Sequence, residues 1–443
     1  MNELNEMETM PIKKLAFKIS IPMVLSMISI ALYSIVDSMF ISKISDNTLE
    51  VVALSVPIQA IIIAIGLGTG IGVNSILART LGEKNELKAK KIINNSFILI
   101  FLSYIIILLI SIFGLKKYFQ FFTNDENIQN LGFTYLSIIN IFSIGNLYQL
   151  LFEKILESYG KTKSSMIVQF SGAIINLILD PILIFGYLGI TPMGIKGAAI
   201  ATVIGQSTGM FIGLFIILKN KLIQIKDLIQ INLDKNIIKD IYKVGVPTII
   251  LESVTSFITL ILNKLLGGIS EDAISVWGLY CQLQKFVIII VYGFNYGMIP
   301  IVAYNIGAKK QDRVKESIQV FLIISIFVTF IGQIIFLFFT NQIINIYNVS
   351  NNVLEMGITA FRILSFGFIF AGISLVFSAA FQAFGKATYS LIVNMSRQLF
   401  FSIPLSILLV NFLGIYGVWI SFVIAEFITM IIAIFLYKNQ KET

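Results

Sequence analysis

The run Ser164-Ser-Met-Ile-Val-Gln-Phe-Ser-Gly-Ala-Ile-Ile-Asn-Leu-Ile-Leu-Asp-Pro-Ile-Leu-Ile-Phe-Gly-Tyr-Leu188 decides how this chain is read. It contains no basic residue and one acid, Asp180. As a helix it covers about 37 Å, enough to cross a bilayer. Asn176 precedes Asp180 by four residues, so both side chains share one face, a turn apart. Pro181 follows and is expected to bend the helix, freeing a carbonyl. A carboxylate at membrane depth costs roughly 2.5–3.5 kcal/mol by insertion scales and normally faces a bundle interior or a wet cavity. The question the run raises is what Asp180 binds.

The surrounding chain is equally apolar. Of 443 residues, 57% are hydrophobic and 13% charged, against about 25% charged in soluble domains. Mean hydropathy is +0.89. Period-2 alternation is absent, which argues against a barrel. The reading is an all-α polytopic membrane protein. The first 14 residues are polar, and the apolar run after them is too long for a signal h-region, so it is read as an uncleaved first span. Cys281 is the only cysteine, and histidine is absent. Disulfide frameworks, thiolate clusters and imidazole chemistry are thereby excluded. The net charge of +8 is ascribed to loop bias rather than to nucleic acid.

Twelve spans are predicted, at 15–41, 51–78, 92–115, 128–153, 164–188, 197–218, 237–263, 273–302, 317–340, 353–381, 388–411 and 414–437. The longest polar connection follows the sixth. It divides the chain into an N-lobe at 1–218, a linker at 219–236 and a C-lobe at 237–443. With the N-terminus in the cytoplasm, 24 of the 32 Lys and Arg fall on or beside cytoplasmic segments, among them Lys154. Five fall in outer loops, and Lys285, Arg362 and Arg397 lie within spans. Both termini are therefore expected inside.

An offset of 225 residues superposes landmarks of the two halves. Pro22 meets Pro247, Gly68 and Gly72 meet Gly293 and Gly297, and Gly82-x-Lys84 meets Gly307-x-Lys309. Gly160-Lys161 meets Gly385-Lys386. Near the last span of each half the register slips by five, where Gly194 to Ala199 matches Gly414 to Trp419. Six spans per half make the copies parallel, related by an axis along the membrane normal.

The copies disagree at four positions. Asp37, Asn176 and Asp180 correspond to Leu262, Phe401 and Leu405, and in the slipped register Thr202 corresponds to Phe422. The scaffold stands without these oxygens in its second copy, which points to function in the first. Asp37 and Asp180 both lie about 26 Å from the cytoplasmic edge, and Thr202 reaches similar depth. Two carboxylates, an amide and a hydroxyl suit Na⁺ or a proton. A hydrogen-bond network that only fixes helix packing is the alternative. Glu252, unique to the second half, is a candidate substrate or proton site. Tyr33, Gln59, Tyr148, Gln282 and Gln284 are candidate cleft residues. Glu426 either snorkels or pairs, and Arg397 pairs with Glu252 or Glu426. Gly66, Gly68, Gly70 and Gly72 lack the order of a nucleotide loop and read as close helix packing.

These features resemble the MATE (multidrug and toxic compound extrusion) family. The resemblance rests on the twelve spans in two parallel halves and on Asp37 in the first span. Asn176-x-x-x-Asp180-Pro181 and Gly197-Ala-Ala-x-Ala-Thr202 add to it. Pro300-Ile-Val-Ala-Tyr-Asn-Ile-Gly-Ala-Lys-Lys310 and Phe381-Gln-Ala-Phe-Gly-Lys386 look like its bacterial MepA-type branch. The resemblance implies a V-shaped pair of lobes and a Na⁺- or H⁺-coupled antiporter that exports amphipathic, often cationic drugs. It implies a cation site at Asp37, Asn176, Asp180 and Thr202, no cofactor, no enzymatic activity and a monomer in the bacterial plasma membrane. Glu252 sits where another branch carries a coupling acid, whose span-ten partner is missing here. A lipid-linked-precursor flippase of the same superfamily is the alternative. It wants a strongly basic cavity, and away from the cytoplasmic ends of the spans only three cations lie within them.

Overall fold

The structure is a computed structural model and describes residues 2–224 and 233–439. A short amphipathic helix α1 (Asn2–Thr9) precedes the bundle. The first half comprises α2 (Ile12–Ser42), α3 (Asp46–Gly82), α4 (Glu86–Phe122), α5 (Glu126–Ile141), α6 (Ile144–Ser158), α7 (Thr162–Phe185) and α8 (Ile195–Lys219). The second comprises α9 (Lys235–Gly267), α10 (Glu271–Gly307), α11 (Gln311–Phe338), α12 (Thr340–Asn345), α13 (Asn351–Ser365), α14 (Phe368–Ala383), α15 (Ala387–Met395), α16 (Ile403–Leu413) and α17 (Ile415–Asn439). Among the described residues nine helices are long and apolar enough to cross a membrane, and the bent pairs α5–α6 and α13–α14 bring the number to eleven. α9, with 33 residues, supplies the twelfth. The expected linker includes residues 225–232, which lie outside the described residues.

The helices overrun the predicted spans because polar end turns are helical too. The span expected at 92–115 is helix over Glu86–Phe122. Local chemistry starts them: Asn85, Asp125, Asp234, Ser270 and Ser350 each accept a hydrogen bond from the first turn of the next helix. α7 ends at Phe185 rather than Leu188, because Gly186 takes a left-handed conformation there. The helix continues through Pro181 without a break, so the proline only leaves the Leu177 carbonyl without its usual intrahelical donor.

The repeat is visible in the backbone. Lys84 and Lys309 have φ of 57° and 58°, and Gly160 and Gly385 have 74° and 71°. Gly194 and Gly414, in the slipped register, have 54° and 57°. α5–α6 bends by 44° and α13–α14 by 48° at equivalent places. The slip arises where Gly186 to Gly194 joins α7 to α8, while Gly414 alone joins α16 to α17. One difference goes deeper. α7 is continuous, whereas its counterpart is split by a π-helical turn, Ser396–Ser402, between α15 and α16.

The two copies meet through the paired glycines. A Cβ on Gly68 would lie 2.8 Å from the Gly245 carbonyl and crowd Ile249; one on Gly293 would lie 2.6 Å from the Cα of Val24. Val24 is the 225-residue counterpart of Ile249, so the contact is two-fold related. Gly82 abuts Tyr304, and Gly307 abuts Arg79, its counterpart. Such close approach is how helices associate where lipid removes a hydrophobic drive. Ser75 and Arg79 add hydrogen bonds to the carbonyls of Gln382 and Ala383, at 2.7 and 3.0 Å.

All these contacts lie at the end of the bundle that carries the N-terminus. One apolar cluster there draws on both halves, from Leu15, Ile71 and Leu77 to Met298, Val302 and Phe381. At the other end the core divides. Ile41, Phe119, Leu136 and Ile184 belong to the first half, and Trp277, Phe361 and Trp419 to the second. Two lobes joined at one end and separate at the other form a V. α1 straddles the joined end: Glu3 pairs with Lys161 at 3.2 Å, and Glu8 with Lys84 at 3.4 Å and Lys310 at 3.1 Å. The Lys310 hydrogen bond is the main cause that holds the Glu8 carboxyl below its ordinary value.

The glycine seam makes a direct prediction. Gly68→Val should lower stability by about 1–3 kcal/mol through overpacking. Gly278→Val, placed where a Cβ meets nothing within 4 Å, should leave it nearly unchanged. Thermal unfolding of the purified protein in detergent checks both.

Candidate functional site

Inside the N-lobe, α2, α7 and α8 converge on the four predicted oxygens. α7 and α8 touch because glycines line their contact. A Cβ on Gly197 would lie 2.6 Å from the Leu183 carbonyl, and one on Gly205 would lie 2.6 Å from the Gly172 carbonyl. This approach lets Asn176 Nδ2 donate to Thr202 Oγ1 at 3.3 Å. Asp180 is fully buried, and Asn176 and Thr202 nearly so. The Asp37 carboxyl faces that of Asp180, and the Tyr33 hydroxyl reaches Thr202. Tyr135 of α5 stands beside the two acids and reaches Gln59.

The chemistry of the pocket lies in what its oxygens lack. Asp37 Oδ1, Asn176 Oδ1 and both carboxylate oxygens of Asp180 are buried and find no donor. Two ionised carboxylates are acceptors only and cannot bond each other. Burying them unpaired is costly, and a bound proton or hard cation removes that cost. The residues present therefore fit an alkali cation or a shared proton. Among the described residues there is no cluster of three or more His, Cys, Asp or Glu for a multivalent metal.

The other nominated residues go elsewhere. Gln59 lines a smaller N-lobe cavity of about 20 Å³, with Asn146 and Gln206. Tyr148 donates its hydroxyl to the Phe97 carbonyl at 2.9 Å, a packing contact. Gln282 is exposed on α10 and lines neither cavity. Gly66 and Gly70 abut Leu150 and Lys154 of α6, while Gly68 and Gly72 abut α9, so the glycine run packs helices. Glu252 lines a larger cavity of about 120 Å³, mostly within the C-lobe, with Tyr292, Asn295, Tyr296, Arg397 and Gln398. Tyr292 and Tyr296 stack at 6.3 Å between centroids. Arg397, turned inward by the π-helical segment, pairs with Glu426 at 3.7 Å, which settles the choice the sequence left open.

Sequence reasoning missed Glu153, Lys154 and Glu157. Lys154 was assigned to the cytoplasmic side, yet only 3% of it is exposed. α6 runs on to Ser158, and Lys154 Nζ bonds both carboxylate oxygens of Glu157, at 3.0 and 2.9 Å. The i,i+3 spacing of Lys154 and Glu157 was the available signal. It was lost because the span was closed at Glu153.

A duplicated six-helix scaffold, with an oxygen-lined pocket in one copy and a cleft between the copies, is the build of a membrane transporter. The MatE family model matches residues 22–182 and 247–408, and the chain belongs to that family. The two matched stretches begin at Pro22 and Pro247, which again gives the 225-residue repeat. The chain is thus a membrane transporter rather than an enzyme. It is 27% identical to the multidrug export protein MepA of Staphylococcus saprophyticus, over 94% of this chain and 91% of that protein. It is 25% identical to an FAD transporter of Shewanella oneidensis, over 97% of this chain and 95% of that protein. Among solved structures, an outward-facing multidrug-resistance MATE transporter superposes with a TM-score of 0.92. That match is at 23% identity and covers all of this chain and 98% of the other.

The C-lobe pair yields a prediction. Arg397→Leu alone strands Glu426 and should cost about 3–5 kcal/mol. The double variant Arg397→Leu with Glu426→Leu should recover most of that loss. Denaturation midpoints of the three proteins test it.

Proposed function

We propose that this chain is a cation-coupled antiporter that exports amphipathic, often cationic drugs across the bacterial plasma membrane as a monomer. The observation that carries the reading is the set of four donorless buried oxygens on Asp37, Asn176 and Asp180. A cation entering the pocket neutralises the carboxylates, and it drives transport only as far as it binds one lobe arrangement better than the other. The N-lobe (1–218) and C-lobe (237–443) are the two moving bodies. The end where they join carries most of the basic residues, so it and both termini are cytoplasmic by the positive-inside rule. The cleft then faces outward, the arrangement from which drug leaves. The C-lobe cavity offers a flat organic cation two stacked tyrosine faces and an acid, Glu252.

Drug export by the staphylococcal MepA proteins supports this reading. The flippase alternative is weakened by the same cavity. Among the described residues Arg397 is the only cation that lines it, and Glu426 holds that charge.

Asp37→Asn and Asp180→Asn should each cut ethidium efflux from proteoliposomes at least tenfold. Each should also abolish its dependence on an imposed H⁺ or Na⁺ gradient, the two gradients being applied separately. Efflux that stays fast and gradient-dependent in both variants contradicts the scheme.

A further inference from the structure

Between the carboxylate pair and the cytoplasmic end of the N-lobe runs a polar seam that the coupling scheme leaves unused. On α7, Ser165, Gln169, Asn176 and Asp180 fall on one stripe. On α6, Gln149, Glu153 and Glu157 do the same, at steps of four. The stripes face each other. Gln149 Nε2 donates to Glu153 Oε1 at 3.0 Å and reaches Gln169 Oε1 at 3.4 Å. Ser165 donates to Glu157 Oε1 at 3.2 Å, and Asn74 of α3 to Glu157 Oε2 at 3.3 Å. From Asp180 to Ser165 the seam is about 22 Å long.

Its upper part is kept polar by glycine. A Cβ on Gly172 would lie 3.6 Å from Gln149 Oε1, and one on Gly205 would lie 2.9 Å from the Cβ of Asn176. Gly172 and Gly205 pack on each other, so Asn176 and Gln149 border the same glycine contact. The amide oxygens of both are buried without a donor.

The lower part holds an uneven set of charges. Glu153, Lys154 and Glu157 are 7%, 3% and 1% exposed. Lys154 gives its hydrogen bonds to Glu157 and lies 4.4 Å from the centre of the Tyr296 ring of α10. Glu153 keeps one neutral partner, the Gln149 amide. Facing it are Lys154 and Glu157 on its own helix, the Gln169 amide of α7 behind Gln149, and α8 at Gly209, against which Gln149 packs. Two carboxyls and one ammonium leave one carboxyl that is neutral only with a proton bound.

We propose that Glu153 is a proton relay within the N-lobe, a buried station between the Asp37–Asp180 pair and the cytoplasm. The proposal rests on the antiport reading and narrows its coupling ion to H⁺. A proton leaving the carboxylate pair passes by Asn176 and Gln149 to a Glu153 oxygen. It is then released past Glu157 to cytoplasmic water, and Glu153 returns to its ionised form. A metal cation needs several oxygens at once, and Glu153 offers one carboxyl with a single amide partner. A proton needs one acceptor at a time, and water joins polar groups that do not bond each other directly.

The test uses the full-length protein in proteoliposomes, with ethidium transport driven by a pH gradient and measured over a range of cytoplasmic-side pH. Glu153→Gln keeps the hydrogen-bonding shape but cannot carry the proton. It should slow transport at least tenfold and flatten the pH profile, with ethidium affinity in detergent within twofold of wild type. Glu153→Asp should restore most of the rate. Gln149→Met, which leaves every carboxyl in place, should also slow transport, and it decides the matter if Glu153→Gln does not fold. A wild-type rate and profile in Glu153→Gln overturns the relay. So does a slowed rate with an unchanged profile, or drive by a Na⁺ gradient alone. Asp37→Asn and Asp180→Asn are measured alongside. If they too keep pH-driven transport, the antiport reading itself fails; if they lose it while Glu153→Gln does not, only the relay is wrong.

Discussion

A carboxylate inside a membrane protein must find a counter-charge, a proton or water, and that constraint organises this molecule. Asp37 and Asp180 face each other with no cation of the protein beside them, and three of their oxygens have no donor. Lys154–Glu157 and Arg397–Glu426 are buried charges matched within the chain, while Glu153, like the aspartate pair, has no cation of its own. The contrast separates roles. Matched pairs carry their own counter-charge, while an unmatched pair is an invitation to a mobile cation. That invitation couples to shape only because the pocket is built from α2, which also forms the inter-lobe seam through Ser20 and Val24.

In the proposed antiport cycle the seam is where the two lobes pivot. Contacts between glycine and backbone are close but shallow, and in lipid they are not reinforced by a hydrophobic drive. They lie toward the joined end in two-fold-related pairs, Gly68 with Ile249 and Gly293 with Val24, and Gly72 with Gly245 and Gly297 with Ser20. α1 crosses the same end with one acid bridging Lys84 of the first lobe and Lys310 of the second. Opening toward the cytoplasm has to break these bridges and part the cluster that contains Ile71 and Met298.

Much of this was legible in residue order. Pro22 and Pro247, and the glycine pairs, give the duplication, since close packing tolerates nothing larger at those positions. Replacement of Asp37, Asn176, Asp180 and Thr202 by apolar residues in the second copy marks an oxygen set the scaffold does not require. What stayed hidden depends on where helices stop and turn. Glu153, Lys154 and Glu157 look like a solvated edge until α6 is seen to continue to Ser158 between α3, α7 and α8. The bends after Ile141 and Ser365 carry no proline and come instead from a break between two apolar helices. The partner of Arg397 depended on a π-helical turn that Ser396 to Ser402 do not announce. Tyr135 of α5 joins the site from a helix with no motif at all.

Binding measured apart from transport tests the central claim most directly. Purified protein in detergent is titrated with ethidium at rising concentrations of H⁺ or Na⁺, with a double Asp37→Asn, Asp180→Asn variant as comparison. If the carboxylate pair is the coupling site, one of the two cations weakens ethidium binding in the native chain, and the variant binds the dye with the same affinity at every cation concentration. The same cation dependence in both proteins would contradict the account.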